Sequence, residues 1–147
     1  MAEVRKTVLI ERSAEQMFRL VDDVEHYPQF LPWCGGSQLI ERTEVLTRAR
    51  IDINYHGVKA HFVTANDKVF PRSMTIRLVE GPFNRLDGTW LFTPLGEAAC
   101  KVEFNLHYEF SSRLIEKVVG PVFSHIANTF VDAFVKQADR QYGQGTQ

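Results

Sequence analysis

Cysteine is scarce in this chain: there are only two, Cys34 and Cys100. They fit no metal-ligand spacing and cannot build a disulfide framework. One bridge between them is open but has no support, and reduced thiols in a cytoplasm are the expectation. Neither sign of charge dominates, with 17 basic residues against 18 acidic ones and a net charge of −1. No polybasic run occurs, which argues against direct DNA binding and against an electrostatic membrane anchor. No stretch reads as the ~18 apolar residues that a membrane span needs. The first residues, Met1 to Lys6, lead into a strand-like pattern without an apolar signal region. The expectation is a soluble, cytoplasmic protein, with any membrane contact peripheral at the inner face. The five histidines, His26, His56, His61, His107 and His125, offer no metal pattern. Repeats and low-complexity segments are absent apart from a polar tail at 143–147.

Aromatic side chains, by contrast, are plentiful. The chain has 147 residues, enough for one domain (1–147, core about 4–142) that buries roughly two thirds of its unfolded surface. Into that interior go 11 Phe, 2 Trp and 4 Tyr. One segment, Tyr27-Pro28-Gln29-Phe30-Leu31-Pro32-Trp33-Cys34, is both proline-interrupted and apolar. Its prolines forbid a long helix or a central strand, and its side chains gain from leaving water. Such a loop lies against a core, closes a cavity, or touches a partner or membrane.

Periodicity orders the rest. A first strand is expected over about Val4 to Glu11. Ser13 then caps a short helix, with Gln16 completing a capping box and Met17, Phe18 and Val21 facing inward. Asp22-Asp23 ends that helix. A two-residue turn at His56-Gly57 pairs Tyr55 with Val58, Ile53 with Ala60 and Ile51 with Phe62 on one face. Asn54–Lys59 and Asp52–His61 fall on the other. Val102, Phe104, Leu106, Tyr108 and Phe110 share one face of the last strand; Leu86, Gly88, Trp90 and Phe92, and Met74, Ile76 and Leu78, do the same on two others. The cover for this one-sided sheet is a helix from about Arg113 to Tyr142, broken or kinked at Gly120-Pro121. It carries Phe123, Ile126, Ala127, Phe130, Ala133 and Phe134 on one stripe. The order is strand, short helices, roughly six antiparallel strands, long helix. This is an α+β layer in which a curved sheet grips a helix.

In this order and spacing the chain resembles the coenzyme Q-binding and ribosome-association toxin (RatA) family of START-like domains, grouped with polyketide cyclases. The marks are Tyr27…Phe30-Leu31-Pro32-Trp33-Cys34, Gly81-Pro82-Phe83 with Leu86 and Trp90–Phe92, Cys100-Lys101-Val102 leading to Phe110, Gly120-Pro121-Val122-Phe123, Ala133-Phe134 and Tyr142-Gly143. The resemblance spans Val4 to Tyr142. It implies a helix-grip fold with a cavity between sheet and long helix. It also implies ubiquinone or another polyprenyl lipid as bound ligand, in support of respiratory electron transport, with no cofactor required. A second implication is interference with ribosomal subunit association through the large subunit. A third is cyclase-like catalysis, for which no matched position supplies a catalytic residue.

On this basis the cavity-lining candidates are Tyr55, Phe62, Trp90, Phe92, Phe104, Tyr108, Phe123, Ile126 and Phe130. Tyr55 and Tyr108 would offer a phenol to a quinone carbonyl. Phe30, Leu31 and Trp33 are the candidates for a lid or a membrane-dipping tip. Each buried prenyl unit contributes at most ~3–4 kcal/mol, so two or three suffice for micromolar binding. Asp52–His61 reads as a solvent-face pair, and Asp22, Asp23, Glu25 and His26 as a solvated helix end. Cys34 reads as a packed small residue. Arg42, Arg48, Arg50 and Lys59 read as solvated strand residues, with a basic strip for RNA as the other reading.

Overall fold

Strand β1 (Ala2–Ile10) stops just short of Ser13, which starts the first helix, α1 (Ala14–Asp22). The Gln16 amide N–H donates to Ser13 Oγ at 3.0 Å, and the Ser13 N–H donates to Gln16 Oε1 at 2.9 Å, so both arms of the capping box are made. Met17, Phe18, Leu20 and Val21 turn into the core. A single 3₁₀ turn (Val24–His26) and a one-turn helix, α2 (Tyr27–Phe30), follow. Pro28 is tolerated there because the first helical turn has no N–H partner to lose. The computed structural model describes residues 2–143, so the tail expected at 143–147 lies, beyond Gly143, outside the described residues.

Six strands run on from there: β2 (Cys34–Arg42), β3 (Leu46–Tyr55), β4 (Val58–Val69), β5 (Ser73–Glu80), β6 (Phe83–Pro94) and β7 (Cys100–Phe110). All seven form one antiparallel sheet in the order β1-β7-β6-β5-β4-β3-β2. The β3–β4 register is the expected one, with Tyr55 opposite Val58, Ile53 opposite Ala60 and Ile51 opposite Phe62. Its turn takes positive φ at both His56 (50°) and Gly57 (80°), which the type I′ hairpin turn requires. Along β7, Val102, Phe104, Leu106, Tyr108 and Phe110 are all buried. Irregularities at Cys34/Gly36, Leu39/Glu41, Val63/Thr64 and Phe83/Arg85 interrupt the ladders, and such bulges bend and coil a sheet.

The cover is α3 (Arg113–Gly143), one helix of 31 residues. Of the break or kink expected at Gly120-Pro121, the break does not occur: Pro121 sits inside a continuous helix. An interior proline costs ~3 kcal/mol, and here burial of Val119, Phe123, Ile126 and Ala127 on the sheet offsets it. One window of α3 also corrects the reading that no stretch is apolar enough to span a membrane. Over 18 residues its mean hydropathy is 1.3, sufficient by length and composition alone. In this fold a third of that window is buried against the sheet. The architecture is the helix-grip arrangement, with the sheet wrapped on α3.

Candidate functional site

Between the inner face of the sheet and α3 lies a cavity of about 90 Å³. Strands and helix both contribute: of the residues proposed from the sequence, Phe62, Trp90 and Phe104 from the sheet and Phe123, Ile126 and Phe130 from α3 line it. Tyr27 and Trp33 add two further rings, and Ile51, Ile76, Leu86 and Leu106 complete the apolar lining. The rings crowd one another. Trp90 stands 4.6 Å from Phe104 and 5.8 Å from Phe130, and Trp33 is 6.1 Å from Phe130, measured between ring centroids. A cavity near 150 Å³ accepts a benzene-sized guest. This one is smaller, so the two or three prenyl units anticipated above enter only if the walls part.

The other aromatic candidates lie elsewhere. Tyr55 is half-buried at the hairpin end, its ring stacked on His125 at 5.6 Å. Tyr108 packs on Phe123 at 4.7 Å, and its hydroxyl is hydrogen-bonded with Ser124; burial pushes its pKa up and that bond partly offsets the rise. Phe92 lies behind Trp90 and against Phe18 of α1, 5.7 Å away. All three share the inner face, but they sit beyond the reach of the cavity along their strands. Neither Tyr55 nor Tyr108 is among the residues that line it.

The apolar segment is a wall, not an exposed tip. Leu31 and Trp33 are 1% and 3% exposed, and Phe30 packs half-buried on Tyr27 and Phe134. The backbone explains the fixation: the Leu31 N–H donates to the Tyr27 carbonyl, the Cys34 N–H to Leu31, and the Asn54 N–H of β3 to Trp33. A membrane-dipping tip is therefore corrected for this conformation, because the side chains that would insert are already in the core. Outside, Pro28 to Trp33 and the α3 residues His125, Thr129, Asp132 and Lys136 flank a surface groove. Among the described residues Trp33 alone borders both this groove and the internal cavity.

One side of the cavity is polar, which the sequence reading missed. Thr47, Thr64 and Asn66 all line it. Thr47 and Asn66 are direct cross-strand partners, and Thr64 stands opposite Ala49 one step along. Thr47 donates to Asp22 Oδ1 at 2.6 Å, and Lys68 Nζ lies 3.1 Å from Asp22 Oδ2. Asp22 is thus no solvated helix end: it joins α1 to β3 and β4. The signal was present in the alternation of β4, where Phe62, Thr64, Asn66 and Lys68 occupy successive inward positions. Polar residues at core positions are errors unless they serve something.

Nearby, Arg42 grips Glu25 with two bonds of 2.7 and 2.8 Å, and the guanidinium holds that carboxyl down at about 2 despite partial burial. Arg48 pairs with Glu41 and Arg50 with Asp52, so each of these strand arginines faces a carboxylate. Tyr27 donates its phenol to the Val21 carbonyl; burial, with Asp22 and Asp23 adding to it, drives its pKa far above the ordinary value. Apart from that committed phenol, no titratable group lines the cavity among the described residues. Chemically, the site can hold an apolar body and one polar end.

Comparison with known proteins places this geometry. Residues 10–135 match the family described as polyketide cyclase / dehydrase and lipid transport. The chain is 44% identical, over 98% of its length and 100% of the relative's, to the ribosome association toxin RatA of Vibrio cholerae. It is 30% identical to the mitochondrial coenzyme Q-binding protein COQ10 homolog B of Xenopus laevis, over 97% of this chain and 60% of that one. The fold superposes on the Zhui aromatase/cyclase of Streptomyces with a TM-score of 0.78 and 16% identity, covering 96% of this chain and 95% of that one. The chain therefore belongs to the polyketide cyclase / dehydrase and lipid transport family, and within it groups with the RatA proteins.

Proposed function

We propose that this protein binds an apolar ligand of the ubiquinone or polyprenyl-lipid class between sheet and α3 and does not transform it. It would act as a carrier or chaperone supporting respiration. One observation carries the reading: an aromatic cavity with a single polar wall and, among the described residues, no free acid or base at its surface. A catalyst of ring closure or dehydration needs a positioned proton donor or acceptor within hydrogen-bond reach of the reacting atom. Binding needs only apolar area and a few polar contacts. The coenzyme Q-binding relative supports the ligand class. Entry runs past Trp33 from the surface groove, and a membrane-derived ligand implies peripheral contact of a cytoplasmic protein with the bilayer.

The test is lipid extraction and mass spectrometry of protein purified without detergent from its own host, followed by uptake of added quinone. A stoichiometric prenyl lipid supports the reading. A protein that arrives empty and takes up no quinone overturns it.

A second reading has its own support. Relatives with the name ribosome association toxin are 44% identical across their full length. In that reading the protein binds the large ribosomal subunit through its surface. The arginine pairings on β2 and β3 leave little free positive charge there for RNA, so a protein-mediated contact suits it better. Co-sedimentation with large subunits that survives raised salt would favour this reading.

A further inference from the structure

The polar wall of the cavity is specific about what it would accept. Four buried side-chain atoms lack a hydrogen-bond partner among the described residues: Arg12 Nε, Arg48 Nε, Asn66 Oδ1 and Asn105 Oδ1. Of their residues only Asn66 lines the cavity. Asn66 is 9% exposed, and a buried amide oxygen without a donor is costly enough that native structures rarely keep one. Its neighbour across the strand pair is also an acceptor. Thr47 gives its only proton to Asp22, at 2.6 Å, so its remaining capacity is two lone pairs. Asp22 is held in place by Lys68 and Arg42, which fixes the direction of that proton. Two acceptors thus stand side by side on one wall of the cavity, with the Thr64 hydroxyl one step along the ladder.

We infer that the site selects an apolar ligand whose head carries a hydroxyl, a phenol or alcohol that donates to Asn66 Oδ1, with the apolar body among Trp90, Phe104 and Phe130. This rests on the cavity-binding reading above and sharpens it. A carbonyl head leaves the buried Asn66 oxygen without a donor, whereas a hydroxyl head satisfies it. Within the quinone class, the hydroquinone therefore binds more tightly than its oxidised form. The orientation follows too: the head lies toward α1 and the β3–β4 ladder, and the tail points toward Trp33 and the groove.

The experiment compares two small probes of nearly equal size and apolar area, para-propylphenol and its methyl ether para-propylanisole, titrated into the full-length protein and followed by calorimetry. The phenol is expected to bind about tenfold tighter, the effect of one buried hydrogen bond. In Asn66→Leu the phenol-to-ether ratio is expected to fall to about one. Equal affinities in the unaltered protein overturn the inference while leaving the cavity reading intact. A preference that persists undiminished in a folded Asn66→Leu variant overturns the assignment to Asn66. Binding of neither probe overturns the cavity reading and this inference with it.

Discussion

A lysine at an inward position of a sheet is an unusual residue to find 6% exposed, and Lys68 is tolerated because Asp22 meets it at 3.1 Å. Deleting Lys68 leaves the mostly buried Asp22 carboxylate with Arg42, 3.5 Å away, as its remaining cation. Lys68→Met should therefore lower the unfolding free energy by about 3 kcal/mol, measured by urea denaturation. An unchanged midpoint would show that Thr47 and Arg42 hold Asp22 without it. Asn66 makes a different case. No group among the described residues bonds its oxygen, so its presence weakens the ligand-free protein, and residues of that kind tend to stand where function requires them.

Elements show which parts of this arrangement were legible in the amino-acid order. The β3–β4 hairpin was readable to the residue because turn chemistry and period-two alternation are both local. The face of β6 and β7 was readable for the same reason. Position along a strand was not. Period two says that Tyr55, Phe92 and Tyr108 face inward, yet it is silent on where α3 leaves a gap, and each of them falls outside it. The polar wall was within reach of the same alternation: reading β4 past Phe62 through Thr64, Asn66 and Lys68 exposes it. The segment around α2 is ambiguous for another reason. Its prolines mark a loop and its apolar content one that packs on a core, closes a cavity or meets a partner or membrane, and backbone bonds from Leu31, Cys34 and Asn54 decide for the core. Trp33 is then the partition between groove and cavity. Trp33→Ala should speed release of a bound apolar probe by at least tenfold in stopped-flow exchange. Truncating so large a buried side chain also costs about 3–5 kcal/mol of stability. Unchanged release would place the entrance elsewhere.

For the whole molecule, stability depends on pH through pairs such as Glu25–Arg42, which tie the 3₁₀ turn to β2. Glu25 has a folded pKa of about 2 against an ordinary value of 4.5. Because the folded value is depressed, the contribution is complete above about pH 5 and is lost as the pH falls toward 2. The pair is partly exposed, so its worth is at most ~1 kcal/mol. The difference in melting temperature between the unaltered protein and Glu25→Gln should be constant from pH 6 to 8 and shrink to nothing near pH 2. A difference that does not vary with pH would remove this ion pair from the account.

The molecule also gives its interior a voice. It has 2 tryptophans, and both of them, Trp33 and Trp90, wall the cavity. Its indole emission therefore comes from nowhere else. Any guest that displaces a ring, or quenches an excited indole as a quinone does, would register in the native protein's own fluorescence, without a label and without a tryptophan elsewhere to dilute the signal.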